Sequence, residues 1–146
     1  MAGANFWRMD RDMPDMIRWI SWGKANFVAA VDKVHFEYGT KQRYGFGPVD
    51  LNAVNEGLAA FHSSAAQLDG HLAGRHFLLD SGLSFADFRV ASYLPFNDVA
   101  CLPLSDYPAL ERWYGRLCAL PYWADPFAGL DAPALPVVAP RLGGLG

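Results

Sequence analysis

Ser84 and Asp87 stand three residues apart in Leu83-Ser84-Phe85-Ala86-Asp87-Phe88, close enough for a hydroxyl and a carboxylate to act as one unit. A proton-sharing pair is one such unit, but the spacing suits a helix start better. Ser84 as cap takes a first-turn N–H, Asp87 reaches back to the Ser84 N–H, and Leu83 and Phe88 close a hydrophobic staple around them. The pair is therefore read as structural. His35 is the chain's candidate acid or base, since it lies on an apolar helical stripe with Glu37 and Tyr38 beside it. An imidazole there serves either a pocket or a satisfied core. His71 and His76 are five apart, the wrong interval for one helix face, and no carboxylate cluster accompanies them, so no metal site is expected. Cys101 and Cys118 are not spaced as a CxxC pair; both sit among apolar residues and read as buried thiols. Gly45-Phe46-Gly47 follows no strand and makes a poor phosphate loop.

These residues must be positioned by helices. Met13, Ile17, Ile20, Phe27, Val28, Val31, His35 and Tyr38 recur at helical spacing, which predicts a long helix from about Met13 to Tyr38 with Pro14 in its first turn. Lys24 is the one charge inside that stripe. Trp22, Ala29 and Phe36 form a second apolar track on the other side, with Asn26 next to it, and a helix with two tracks meets a second surface, ligand or subunit. Trp22, Lys24 and Asn26 are accordingly the candidate ligand-binding residues. Phe6 and Trp7 are expected to pack back onto this helix.

Gly39 to Pro48 reads as a turn-rich connection. Asp50 then caps a second long helix, whose Leu51, Val54, Leu58, Phe61, Ala65, Leu68 and Leu72 step by three and four until Gly74. The capped helix from Ser84 should reach the neighbourhood of Phe96, with Pro95 straining or ending it. Ser105 or Asp106 opens another, with Leu110, Trp113, Tyr114 and Leu117 inward, and Pro121 starts a short last one holding Tyr122 and Trp123. Nothing alternates with period two, so the fold class is all-α, a single domain of about five helices. Residues 1–10 read as a lead-in, 11–128 as the helical domain, and 129–146 as an Ala/Pro/Gly-rich tail that is expected to be disordered.

The chain's 146 residues suit one core, and half of them are hydrophobic. A net charge of −3 and the lack of a basic stripe argue against nucleic acid and anionic membranes as partners. An aromatic content of 14% is high for a small helical domain and means either a large core or an aromatic-lined pocket or interface as well. With no leader-like start and no membrane-length apolar run, a cytoplasmic location is expected.

Six motifs stand in order: Ile17-Arg18-Trp19-Ile20-Ser21-Trp22; Leu68-Asp69-Gly70-His71-Leu72-Ala73-Gly74-Arg75; the Leu83–Phe88 box; Leu102-Pro103-Leu104 with Tyr107-Pro108; Arg112-Trp113-Tyr114; and Leu120-Pro121-Tyr122-Trp123. Together they resemble the all-helical C-terminal domain of bacterial-type glutathione transferases, over roughly residues 5–127. The resemblance implies a wall of the hydrophobic-substrate pocket and half of a dimer interface. In that family glutathione is held by a preceding thioredoxin-like domain, and this chain starts where that domain would have ended. The expectation is a domain that binds no cofactor by itself, meets glutathione only when a thioredoxin-like domain is supplied in trans, and is catalytically silent alone. The alternatives are a stand-alone helical module for dimerisation or an apolar small molecule, and a repurposed lyase or cyclase using His35 or a tyrosine.

Overall fold

The computed structural model describes residues 6–125 and 136–141; the sequence expectation for 129–146 otherwise lies outside the described residues. Among the described residues there are six helices and no strand, only an isolated bridge between Leu79 and Gly82. Helix α1 occupies residues 13–43, α-helical over Met13–Gly23, Ala29–His35 and Lys41–Arg43, with π turns at Lys24–Val28 and Phe36–Thr40. It is followed by α2 (Leu51–Leu72), α3 (Phe85–Val90), α4 (Asn97–Ala100), α5 (Pro108–Cys118) and α6 (Pro121–Ala124). The all-α bundle expected from the sequence is thus the fold.

The core is one cluster. Met16, Phe27, Val31 and Val34 of α1 meet Phe61, Ala65, Leu68 and Leu72 of α2, closed by Val90, Leu94, Leu110, Trp113 and Leu117. Burying each large side chain stabilises the fold by about 1.5–3 kcal/mol. In the first half of α1 the buried face is turned from the expected stripe: Met16 and Gly23 are buried, while Met13 and Ile17 stand outside. Gly23 explains it. A Cβ there would come within 2.6 Å of Val90, so α3 crosses α1 at a residue that hydrophobic periodicity does not register. Gly57 does the same for α2, where a Cβ would meet Val34 at 2.8 Å.

α1 also runs on to Arg43, past the turn expected at Gly39. Glu37 holds this extension: its carboxylate accepts from Lys41 Nζ at 2.8 Å and from the Asp50 backbone N–H at 2.7 Å, tying the helix end to the start of α2. Those two donors keep the Glu37 carboxyl below the usual range. Asp50 caps α2 through the N–H groups of Asn52 and Ala53, and Gly74 follows the helix end at φ +75°.

α3 is shorter than expected and ends at Val90 rather than near Phe96, because a 3₁₀ turn at Leu94–Phe96 and the separate α4 carry the chain around Pro95. Its start is the capping box: Ser84 Oγ accepts from the Ala86 N–H, and Asp87 Oδ2 accepts from the Ser84 N–H at 2.9 Å. Asp87 Oδ1 also accepts from Leu78 N at 3.0 Å and Trp113 Nε1 at 2.8 Å, joining α3, α5 and the preceding loop at one fully buried carboxyl. Burial pushes this carboxyl up, and those bonds pull against it. α5 begins at Pro108, later than Ser105 or Asp106, because its cap comes from another helix: Asp69 of α2 accepts from Ala109 N and Leu110 N at 2.7 and 3.0 Å.

Phe6 and Trp7 pack on α3 instead of α1. Phe6 lies 4.9 Å from the Phe88 ring and Trp7 5.3 Å from Phe85, and Phe6 O accepts from Phe85 N. Arg8 is buried beside them, bonding Ser81 Oγ and the Gly82 and Leu83 carbonyls. Cys118 is exposed and Cys101 half-buried, contrary to the expectation of two buried thiols, since Cys118 closes the outer side of α5.

Candidate functional site

Two depressions flank the upper and lower halves of the outer face formed by α1 and α2. Trp22, half-buried, joins Arg18, Trp19 and Gln67 around a cavity of about 320 Å³. Its indole meets the edge of Trp19 at 5.3 Å, and Trp19 in turn lies 4.3 Å from the His71 ring, which is anchored to the Leu78 carbonyl at 2.8 Å. Asn26 is exposed and donates to the Trp22 carbonyl at 2.9 Å. It borders the second depression, about 280 Å³, with Ala25, Ala29, Lys33 and Glu56. Gln67 borders both, so Trp22 and Asn26 belong to adjoining parts of one surface. Lys24 is exposed and lines neither.

A larger groove lies elsewhere. Phe88, Pro95, Phe96, Tyr122 and Trp123, with Ser92 and Asp125 at its margin, line about 530 Å³ of mostly apolar space. The capping box sets its first wall, because it fixes the turn from which Phe88 projects. Pro121 at the first turn of α6 sets the second, and the two walls meet where Phe88 and Trp123 pack at 5.0 Å. Phe96 is 51% exposed and Tyr122 44%, so the lining faces solvent. Sequence reasoning placed Phe88 in the staple, Phe96 near a helix end, and Tyr122 and Trp123 in the short last helix, without bringing them together. The signal available was the aromatic surplus: neither Phe96 nor Tyr122 belongs to any core stripe.

His35 lies behind this groove, 5.6 Å ring to ring from Phe96 and 6.0 Å from Tyr93. It is 7% exposed, and its Nδ1 has no hydrogen-bond partner among the described residues. Burial lowers the imidazole pKa and so does Arg43, against the pull of Asp32 and Asp98. The neighbouring Tyr93 hydroxyl is pushed up by burial and by Asp32. At neutral pH the pair is thus an uncharged imidazole and an uncharged phenol. Among the described residues no three His, Cys, Asp or Glu side chains converge as metal ligands. No helix there is long and apolar enough to cross a membrane.

A helical bundle built on a buried capping box, with lead-in aromatics against the capped helix and an apolar groove at its side, is the arrangement to set beside known proteins. Residues 52–116 of this chain match the family model for the glutathione S-transferase C-terminal domain. Its fold is that of a glutathione S-transferase from Rhodospirillum rubrum F11, at a TM-score of 0.78 and 20% identity, over 95% of this chain and 62% of that one. FzlA from C. crescentus is similar at a TM-score of 0.72 and 23% identity, over 93% of this chain and 60% of that one. Glutathione transferase F2 from Populus trichocarpa gives 0.72 and 12%, over 82% and 57%. At these identities the likeness is one of fold, and the chain spans less than two thirds of the length of each of these three neighbours. No curated protein matches the sequence.

Proposed function

We propose that this chain is a glutathione-transferase-like domain that holds an apolar small molecule in the Phe88–Trp123 groove and that these 146 residues alone do not conjugate glutathione. The groove carries the reading, since it is the largest of the depressions described and its aromatic walls are open to solvent. Silence toward glutathione is supported by the tyrosines: burial raises the pKa of Tyr93, Tyr107 and Tyr114, which leaves none of these phenols poised to ionise and take up a thiol proton at neutral pH. Glutathione then binds only with a thioredoxin-like domain in trans. The 44% exposed Trp7, beside Phe85, offers such a partner an apolar edge. A homodimer would use the α1–α2 face around Asn26 and Ala29, and the exposed free thiol of Cys118 suits a reducing cytoplasm.

The test uses the purified chain with the neutral fluorophore N-phenyl-1-naphthylamine, and with glutathione plus 1-chloro-2,4-dinitrobenzene. Saturable fluorophore binding is expected, weakened about tenfold by Trp123→Ala, which removes one aromatic wall. No conjugation above the uncatalysed rate is expected. Binding insensitive to Trp123→Ala and lost in Trp22→Ala would move the site to the α1–α2 face; conjugation by the chain alone would overturn its silence. Light scattering of the same sample should read about twice the 16.1 kDa monomer if the dimer forms.

A further inference from the structure

Beside the Glu37–Lys41 pair, the end of α1 carries Arg43, which has no carboxylate within ion-pair distance among the described residues. His35, Gly39 and Arg43 follow one another at intervals of four, so they share one face of the helix across the Phe36–Thr40 π turn. Gly39 lets the His35 ring lie against the helix, since a Cβ there would come within 3.0 Å of His35 Nε2 and 3.2 Å of Val99. The 136–141 segment returns to this end: Arg141 N donates to the Asp98 carbonyl at 3.1 Å, Cys101 Sγ meets the Arg141 carbonyl at 3.2 Å, and the Arg141 guanidinium lies 3.5 Å over the Tyr38 ring.

Three buried nitrogens at this end have no hydrogen-bond partner among the described residues: His35 Nδ1, Arg43 Nε and one terminal nitrogen of Arg141. They are the only buried side-chain polar atoms so left there. An unmet buried donor on a charged group costs more than a neutral one, so it calls for an acceptor. The nearby carboxylates do not supply it. Among the described residues neither Asp32 nor Asp98 is within ion-pair distance of Arg43 or Arg141.

We infer that the His35–Arg43 face of α1, closed over by Arg141, is a binding site for a small oxyanion, a carboxylate or a phosphate group. Two guanidinium groups present the planar donors such a group takes, and the imidazole supplies a third donor once it is protonated. The site is distinct from the apolar groove, from which the Phe96 ring separates it. Its occupancy does not depend on the proposed apolar ligand.

The test is thermal unfolding of the whole chain at pH 6.0 in sodium phosphate, sodium acetate or sodium chloride at matched ionic strength. Phosphate or acetate at ten times its Kd should raise Tm by about 4 °C over chloride. The rise should fall by half or more in Arg141→Gln and vanish in the Arg43→Gln, Arg141→Gln double variant. Stabilisation by acetate but not phosphate keeps the site and makes carboxylate its class. Where the double variant does not fold, NMR titration of the His35 ring in the wild-type chain decides: its pKa should move upward when the stabilising anion is added. An equal Tm rise in all variants, an unmoved His35 titration, or no stabilisation by either anion overturns the site.

Discussion

Asp87 shows how much one side chain can carry when its bonds reach several elements. Its two oxygens accept from Ser84 N, Leu78 N and Trp113 Nε1, all within the core, whereas Ser84 Oγ meets a single first-turn N–H. Removing the carboxyl therefore strands three buried donors, while removing the hydroxyl strands one. Asp87→Ala should destabilise the protein by about 3–5 kcal/mol, the range for breaking a buried charged node, and Ser84→Ala by about 1 kcal/mol, the usual worth of a cap. Urea unfolding of the two variants reads the difference directly; equal losses would reduce Asp87 to an ordinary capping residue.

At the scale of elements, contact geometry decides what helix propensity cannot. Gly57 lies where α2 touches α1 at Val34, and Gly70 of α2 and Gly115 of α5 have open space where a Cβ would stand. The same substitution should therefore change sign with position. Gly70→Ala and Gly115→Ala should each stabilise the chain by about 0.5–1 kcal/mol through helix propensity alone. Gly57→Ala should lose about 1–3 kcal/mol, since overpacking outweighs that gain. Thermal unfolding of the three variants checks it, and a Gly57→Ala protein as stable as Gly70→Ala would mean that the helices part without cost. The π turns of α1 belong to the same scale: each widens one turn, and the second lies between His35 and Arg43, at the polar end of the bundle.

For the whole molecule, the buried neutral imidazole makes stability depend on pH. Burial, with help from Arg43, holds His35 below its ordinary value of 6.5, and Asp32 and Asp98 only partly restore it. As pH falls through 6.5 the unfolded chain takes up a proton that the folded chain refuses. Stability is thus full above that value and declines below it until the folded imidazole also titrates. Between pH 7.5 and 5.5 the Tm of the wild-type chain should drop more than that of His35→Gln, measured in a buffer without phosphate or carboxylate. Superimposable profiles would show that folding leaves the His35 pKa unshifted. The groove and the polar end lie on opposite sides of Phe96, so a chain that closes one need not disturb the other.

Periodicity and capping chemistry are local, and they sufficed for the order of the main helices though not all their ends, the α2 stripe from Val54 to Leu72, the Ser84–Asp87 box and the order of motifs that resembles a glutathione transferase domain. They could not reveal where a glycine lets two backbones meet, so the buried face near Gly23 and the start of α5 under Asp69 emerged only from packing. The same holds for the sites. Trp22 and Asn26 could be singled out together because they stand on one helix, but Phe88, Phe96 and Trp123 are distant in sequence, and Arg141 reaches Tyr38 from the far end of the chain. A groove or a charged pocket is a property of neighbours in space, and a helical pattern specifies only neighbours along one helix.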